Sequence, residues 1–244
     1  GVAVWRVWRE RGGPKPAAMA GHSLGEYSAL VCAGALDFGA GVALVAERGR
    51  LMQQAVPAGS GAMAAIIGLE DESVLKVCAE AAQSEVVEAV NFNSPGQVVI
   101  AGDKAAVERA MGLAKGAGAK RALPLPVSVP SHCALMKPAA ERLRERLAAI
   151  DFTVPEVAVL HNVSVAESRD PAELRDLLAR QLYSPVRWVE TVQELRRRGV
   201  GNLVEAGPGR VLMGLNRRIE ASLGSMAIYD PETLDKAVET LANA

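Results

Sequence analysis

Ala17-Ala18-Met19-Ala20-Gly21-His22-Ser23-Leu24-Gly25-Glu26 is the stretch that decides the fold. A short apolar run, Ala17–Ala20, reads as a strand, and the residues from about Leu24 to Cys32 read as a helix. Between them Gly21-His22-Ser23-Leu24-Gly25 matches G-x-S-x-G, the strand-to-helix corner that presents a serine hydroxyl at the mouth of an α/β sheet. Such a corner strains the serine backbone, and side chains at the two flanking glycine positions are expected to collide with helix and strand. The helix N-terminus behind Ser23 offers free N–H groups, with the Leu24 N–H placed as an oxyanion donor. The competing reading is a chance match in a chain with 23 glycines.

Outward from this corner, helical and strand patterns alternate, which favours α/β architecture. Upstream, Val2–Glu10 reads as a helix, followed by a turn at Gly12-Gly13-Pro14. Downstream, Asp37 looks like the N-cap of a helix reaching about Gln54, and Val56–Gly61 is a loop. The next segment runs strand Ala62–Leu69, helix Asp71–Ala82, strand Val86–Phe92, a turn at Ser94-Pro95-Gly96, strand Gln97–Ala101, helix Asp103–Lys115 and strand Lys120–Leu125. That βαββαβ order predicts a ferredoxin-like subdomain over residues 58–127, inserted into a hydrolase-like parallel-sheet core formed by residues 1–57 and 128–244. The core resumes with a helix from His132 to about Ile150, strand Val157–His161, helices Pro171–Gln181 and Pro185–Arg198, strand Leu203–Ala206, a further helix, strand Met226–Tyr229 and a last helix from about Pro231.

Composition narrows the classes. The 244 residues are 50% hydrophobic and 23% charged, with a formal net charge of -1. No global basic field is present to hold nucleic acid, and no apolar run approaches the ~20 residues that cross a bilayer, so neither nucleic acid nor membrane is an expected partner. The cysteines Cys32, Cys78 and Cys133 lie far apart, arguing against a disulfide framework and for a reducing cytoplasm. The histidines His22, His132 and His161 form no metal-ligand spacing, so no metal is expected.

A serine needs a base. His22 neighbours Ser23 in sequence, so its side chain should point elsewhere, lining the cleft rim or packing. His161 ends an apolar strand, where a structural role fits. His132 follows Pro130-Ser131 at a strand-to-helix loop, where α/β sheets place chemistry; a buried, hydrogen-bonded structural histidine is the alternative. No acidic residue presents itself as a third member, so a Ser–His dyad is the expectation.

The sequence resembles the malonyl-CoA:acyl carrier protein transacylases of type II fatty acid synthesis. The similarity lies in Gly21-His22-Ser23-Leu24-Gly25-Glu26 with Tyr27-Ser28-Ala29-Leu30, Arg48-Gly49-Arg50-Leu51-Met52-Gln53, Asn91-Phe92-Asn93-Ser94-Pro95-Gly96-Gln97, Pro130-Ser131-His132, Arg180-Gln181-Leu182-Tyr183 and Glu205-Ala206-Gly207-Pro208-Gly209. The resemblance implies that Ser23 is acylated from malonyl-CoA and His132 is its base. It implies that Arg48 holds the malonyl carboxylate, the Gln181 backbone carbonyl orients His132, and Leu24 gives one oxyanion N–H. His22, Met52, Asn91, Asn93 and Gln97 are candidates for the cleft lining. The partners implied are malonyl-CoA and an acyl carrier protein, with no bound cofactor and a monomeric enzyme. For an acidic carrier, the clusters Lys115, Lys120, Arg121 and Arg217, Arg218 are candidate docking faces, solvated surface being the alternative.

Chains of that family open with a strand and a loop giving a second oxyanion N–H. That segment is not in this sequence, so a gap in the sheet and a half-built oxyanion hole are expected. The rival readings are a serine thioesterase or esterase, an acyltransferase module of a multidomain, polyketide-type synthase, and a homologue that only binds carrier protein.

Overall fold

The computed structural model describes residues 1–127 and 129–242. Ser128, where the core is expected to resume, and the last two residues lie outside the described residues.

The helix α1 (Val2–Glu10) precedes β1 (Ala18–Ala20), which turns into α2 (Leu24–Cys32). Asp37 caps α3 (Phe38–Ala55) by accepting from the Ala40 N–H at 2.9 Å, as its sequence position predicts. The strand β1 pairs in parallel with β6 (Ala158–Leu160), and β7 (Asn202–Ala206) pairs in parallel with β8 (Gly224–Ile228). A cleft of about 830 Å³ lies along Ala17–Gly21 on one side and Gly199–Ala206 on the other, and His22, Leu24 and Gly25 also line it. The two parallel pairs are separate sheets.

Helices cover these pairs. The strand β6 follows α6 (Lys137–Ala148) and is followed by α7 (Pro171–Gln181) and α8 (Trp188–Arg197). The helices α2, α3, α6 and α7 bury a cluster that includes Leu30, Leu51, Leu143, Leu147, Leu174 and Leu178. At ~25 cal/mol per Å² of apolar surface, such side chains supply most of the folding drive. The chain closes with α9 (Val211–Ile219), β8 and α10 (Pro231–Ala242).

Between α3 and α6 runs β2 (Gly61–Ile67), α4 (Asp71–Ala82), β3 (Val87–Ser94), β4 (Gln97–Asp103), α5 (Lys104–Gly116) and β5 (Arg121–Pro124). These strands form one antiparallel sheet in the order β3-β4-β2-β5. Its own apolar cluster, with Ile66, Val74, Val98 and Ile100, packs sheet against α4 and α5. The edge strand β3 is tied to the rest of the protein around Asn91, near its middle: Phe92 N–H donates to the Val186 carbonyl at 3.0 Å, and Val186 N–H to the Val90 carbonyl at 2.9 Å. The result is a mixed α/β fold with parallel and antiparallel sheets. No helix among the described residues is long and apolar enough to cross a membrane.

Candidate active site

The corner between β1 and α2 has the strained geometry that its sequence predicts. Ser23 sits at φ 51, ψ -111, a left-handed conformation that a side-chain-bearing residue holds only when its surroundings enforce it. Asn162 enforces it: its Oδ1 accepts from the Ser23 N–H at 2.7 Å, and its Nδ2 donates to the Gly21 carbonyl at 2.7 Å. One glycine of the motif is sterically required and the other is not. A Cβ at Gly21 would lie 1.9 Å from the Gly25 carbonyl carbon and 2.3 Å from the Glu26 nitrogen. A Cβ at Gly25 meets nothing within 4 Å among the described residues, so the collision expected at the second glycine is not found there. Gly21→Ala is therefore expected to lower stability by about 4 kcal/mol, a fall in melting temperature of roughly 10 °C, with Gly25→Ala nearly neutral. Thermal melts of the two variants check this; a Gly21→Ala melt within two degrees or so of the parent would show that the corner relaxes.

His132 reaches Ser23 from 109 residues away, with Nε2 2.8 Å from Oγ. Its own backbone is left-handed, φ 70, and is pinned by the His132 N–H donating to the Leu182 carbonyl at 2.9 Å. Nδ1 lies 2.8 Å from the Gln181 carbonyl oxygen. A carbonyl only accepts, so Nδ1 carries the proton and Nε2 presents its lone pair to Ser23. Burial, reinforced by the positive charge of Arg48, pushes the imidazole pKa down to about 3, while hydrogen bonds to the Gln181 and Ser184 backbones pull the other way. The ring is thus neutral and basic in form across the physiological range.

The unfolded chain has its histidine near 6.5 and takes up the proton first as pH falls, so this group costs stability progressively from about pH 6.5 down towards about 3. Activity behaves likewise: the acidic limb of kcat/KM is expected below about pH 5. A pH–rate profile with its limb at the ordinary histidine value would contradict the burial of the base.

Arg48 comes from the middle of α3. Its NH2 donates to Ser23 Oγ at 3.1 Å and to Gln181 Oε1 at 3.3 Å. With Arg48 donating to Oγ, the serine proton points to His132. The guanidinium is buried, 6% exposed, and it makes no salt bridge among the described residues. Its Nε is enclosed with no acceptor among the described residues. A buried cation without an anion is costly, and an incoming carboxylate would complete it.

The Leu24 N–H, at the first turn of α2, has no acceptor among the described residues, and Leu24 lines the cleft. His22 turns away from Ser23, as its adjacency in sequence predicts: Nε2 lies 2.8 Å from Asn93 Oδ1, and the ring tilts against Trp188 at 5.7 Å. The remaining candidates are not drawn to the Ser23–His132 contact. Met52 packs into the apolar cluster beneath α3. Asn91 is buried at the β3 edge beside Val186. Gln97 accepts from Arg218 at 2.9 Å, and Arg217 donates to the Ser225 carbonyl at 3.1 Å, both arginines being exposed.

Sequence reasoning missed a buried acid. Glu26, fully enclosed, places Oε1 2.7 Å from His161 Nδ1, and its Oε2 accepts from the Asn162 N–H and from Gln181 Nε2, both at 2.9 Å. It lies three residues after the nucleophile on α2, one turn from Ser23, and the sequence carries no signal of its partner 135 residues away. It does not serve His132, whose Nδ1 is taken by a carbonyl.

An acyl transferase domain family matches residues 1–227. The malonyl CoA-acyl carrier protein transacylase of Salmonella typhimurium is 59% identical over 237 residues, covering 97% of this chain and 77% of the relative. The crystal structure of an acyl carrier protein S-malonyltransferase from Vibrio cholerae superposes with a TM-score of 0.95 at 62% identity, over 96% of this chain and 77% of that one. A malonyl-transacylase solved in complex with a type II PKS acyl-carrier protein matches with a TM-score of 0.97 at 58% identity, over 98% of this chain and 77% of that one. With the serine corner, the distant histidine and the buried arginine converging on one oxygen atom, this chain belongs to the malonyl CoA-acyl carrier protein transacylase family.

Proposed function

We propose that this protein moves a malonyl group from malonyl-CoA to the phosphopantetheine thiol of an acyl carrier protein through an ester on Ser23, in fatty acid synthesis. The observation that carries this reading is the buried Arg48, without an ion-pair partner among the described residues, in contact with the same Oγ that touches His132. A nucleophile beside an unpaired buried cation is built for an acyl group that carries its own carboxylate.

In the first half-reaction, His132 Nε2 takes the Ser23 proton as Oγ attacks the thioester carbonyl carbon. The negative charge that develops on the carbonyl oxygen faces the Leu24 N–H and the α2 N-terminus. The carbon–sulfur bond then breaks, His132 returns the proton to the departing thiolate, and a malonyl ester remains. The carrier's thiol repeats the sequence in reverse, giving up its proton to His132 and displacing Ser23. Gln181 supports the imidazolium formed in between through its backbone carbonyl. That a carbonyl and not a carboxylate faces Nδ1 speaks against the hydrolase-type triad of the rival reading.

The finer architecture belongs to the same proposal. We read residues 1–57 and 128–244 as a hydrolase-like core and 58–127 as a ferredoxin-like subdomain, supported by the βαββαβ order of the inserted segment. A monomer acting in the cytoplasm is consistent with three free cysteines. Intact-mass measurement after malonyl-CoA treatment tests the reaction: a single malonyl adduct should form with release of free coenzyme A and vanish on adding holo carrier protein. Hydrolysis of the adduct with no carrier-dependent discharge would favour a thioesterase instead.

A further inference from the structure

We propose that Glu26 is a positioning residue for acyl-group selection, acting on Arg48 through the side chain of Gln181. The proposal rests on the reading of Arg48 as the malonyl clamp.

Donor and acceptor polarity fixes the Gln181 amide. The Gln181 amide nitrogen faces two oxygens that can only accept, Glu26 Oε2 at 2.9 Å and the Ser23 carbonyl at 3.1 Å. The amide oxygen faces Arg48, which can only donate, at 3.3 Å. Of the two orientations of this amide, one satisfies all three neighbours, and the other sets donor against donor at Arg48 and acceptor against acceptor at both remaining contacts. The carboxylate is the strongest acceptor of the set, so Glu26 decides the orientation. Glu26 is itself held by His161 and the Asn162 N–H, and the Asn162 side chain grips the Ser23 backbone. One buried anion thereby fixes the nucleophile's corner and, through Gln181, the guanidinium.

This fixing matters for specificity. Arg48 NH2 is used by Ser23 Oγ and Gln181 Oε1, while Nε stays buried without an acceptor. Held in this attitude, the guanidinium keeps unsatisfied donor capacity for a ligand carboxylate. Freed from Gln181, it can turn, and malonyl selection falls while the Ser23–His132 contact survives on the Gln181 backbone carbonyl.

The test compares malonyl-CoA with acetyl-CoA as donors to carrier protein, reading the ratio of their kcat/KM values in Gln181→Met, Glu26→Met, the double variant and Arg48→Ala. Gln181→Met removes the amide and keeps the backbone carbonyl. The malonyl-to-acetyl ratio is expected to fall roughly tenfold in Gln181→Met and in Glu26→Met, and the double variant is expected to fall no further than the lower single one, because both act along one path. Equal losses for both donors would mark a merely structural role and overturn the proposal, as would additive losses in the double variant. If Glu26→Met does not fold, by circular dichroism, an unchanged ratio in Gln181→Met alone overturns it. A collapsed ratio in Arg48→Ala beside unchanged ratios in the other variants sinks only the relay. An unchanged ratio in Arg48→Ala sinks the clamp and the relay together.

Discussion

Ser23→Ala is expected to abolish the malonyl adduct and to reduce malonyl transfer by roughly 10⁴- to 10⁶-fold, the loss seen when a serine nucleophile is removed from a built site. The size of the effect follows from the geometry. Oγ is the one atom that meets both His132 Nε2, at 2.8 Å, and Arg48 NH2, at 3.1 Å. Alanine keeps the backbone bond from the position-23 N–H to Asn162, so the strained corner has the same support and the protein folds. What disappears is the bond-forming atom alone. Treating the variant with radioactive malonyl-CoA and counting protein-bound label checks it directly. Label retained at parental level would place the acylated group elsewhere, and His132 would then lose its assigned role with it.

Much of this arrangement was legible in the sequence, and the parts that were not share a physical cause. The corner at Ser23 was readable because its strain demands a local pattern: a short apolar strand, glycine at position 21, and a helix. Asp37 is readable as a cap because the capping bond spans only three residues of chain. The antiparallel unit declared itself through element order. Pairing between distant residues left no such trace. Nothing local says that Glu26 meets His161, 135 residues away, or that Asn162 grips Ser23 across 139. A glutamate on a helix reads by default as solvated, and its complete burial becomes visible only with β6 laid beside α2. Gly25 is the converse case, where the motif suggests a steric demand that no atom among the described residues makes. His132 is legible from its loop position, but its proton location depends on which atom faces Nδ1, and that atom belongs to Gln181, 49 residues on.

Arg48→Ala is expected to cut kcat/KM for malonyl-CoA by roughly 10²- to 10³-fold while leaving that for acetyl-CoA equal or improved. The malonyl carboxylate must leave water to bring its thioester to Ser23. Breaking one side of a buried charge pair costs about 3–5 kcal/mol, because the remaining charge is stranded without a partner. In the parent protein the stranded charge before binding is Arg48 itself, 6% exposed, with Nε lacking an acceptor among the described residues. An anionic ligand would relieve that cost, so the feature expected to favour malonyl is expected to disfavour acetyl, which would leave the cation unpaired in the filled site. Removing the guanidinium reverses both preferences at once, and the ratio of the two kcat/KM values moves further than either value. It also removes the positive charge that helps depress the His132 pKa, so the acidic limb of the acetyl profile should shift upward in the variant. A variant whose malonyl-to-acetyl ratio and acidic limb both match the parent would show that Arg48 neither meets the substrate nor feels the base, and the selection of a charged acyl group would need another source.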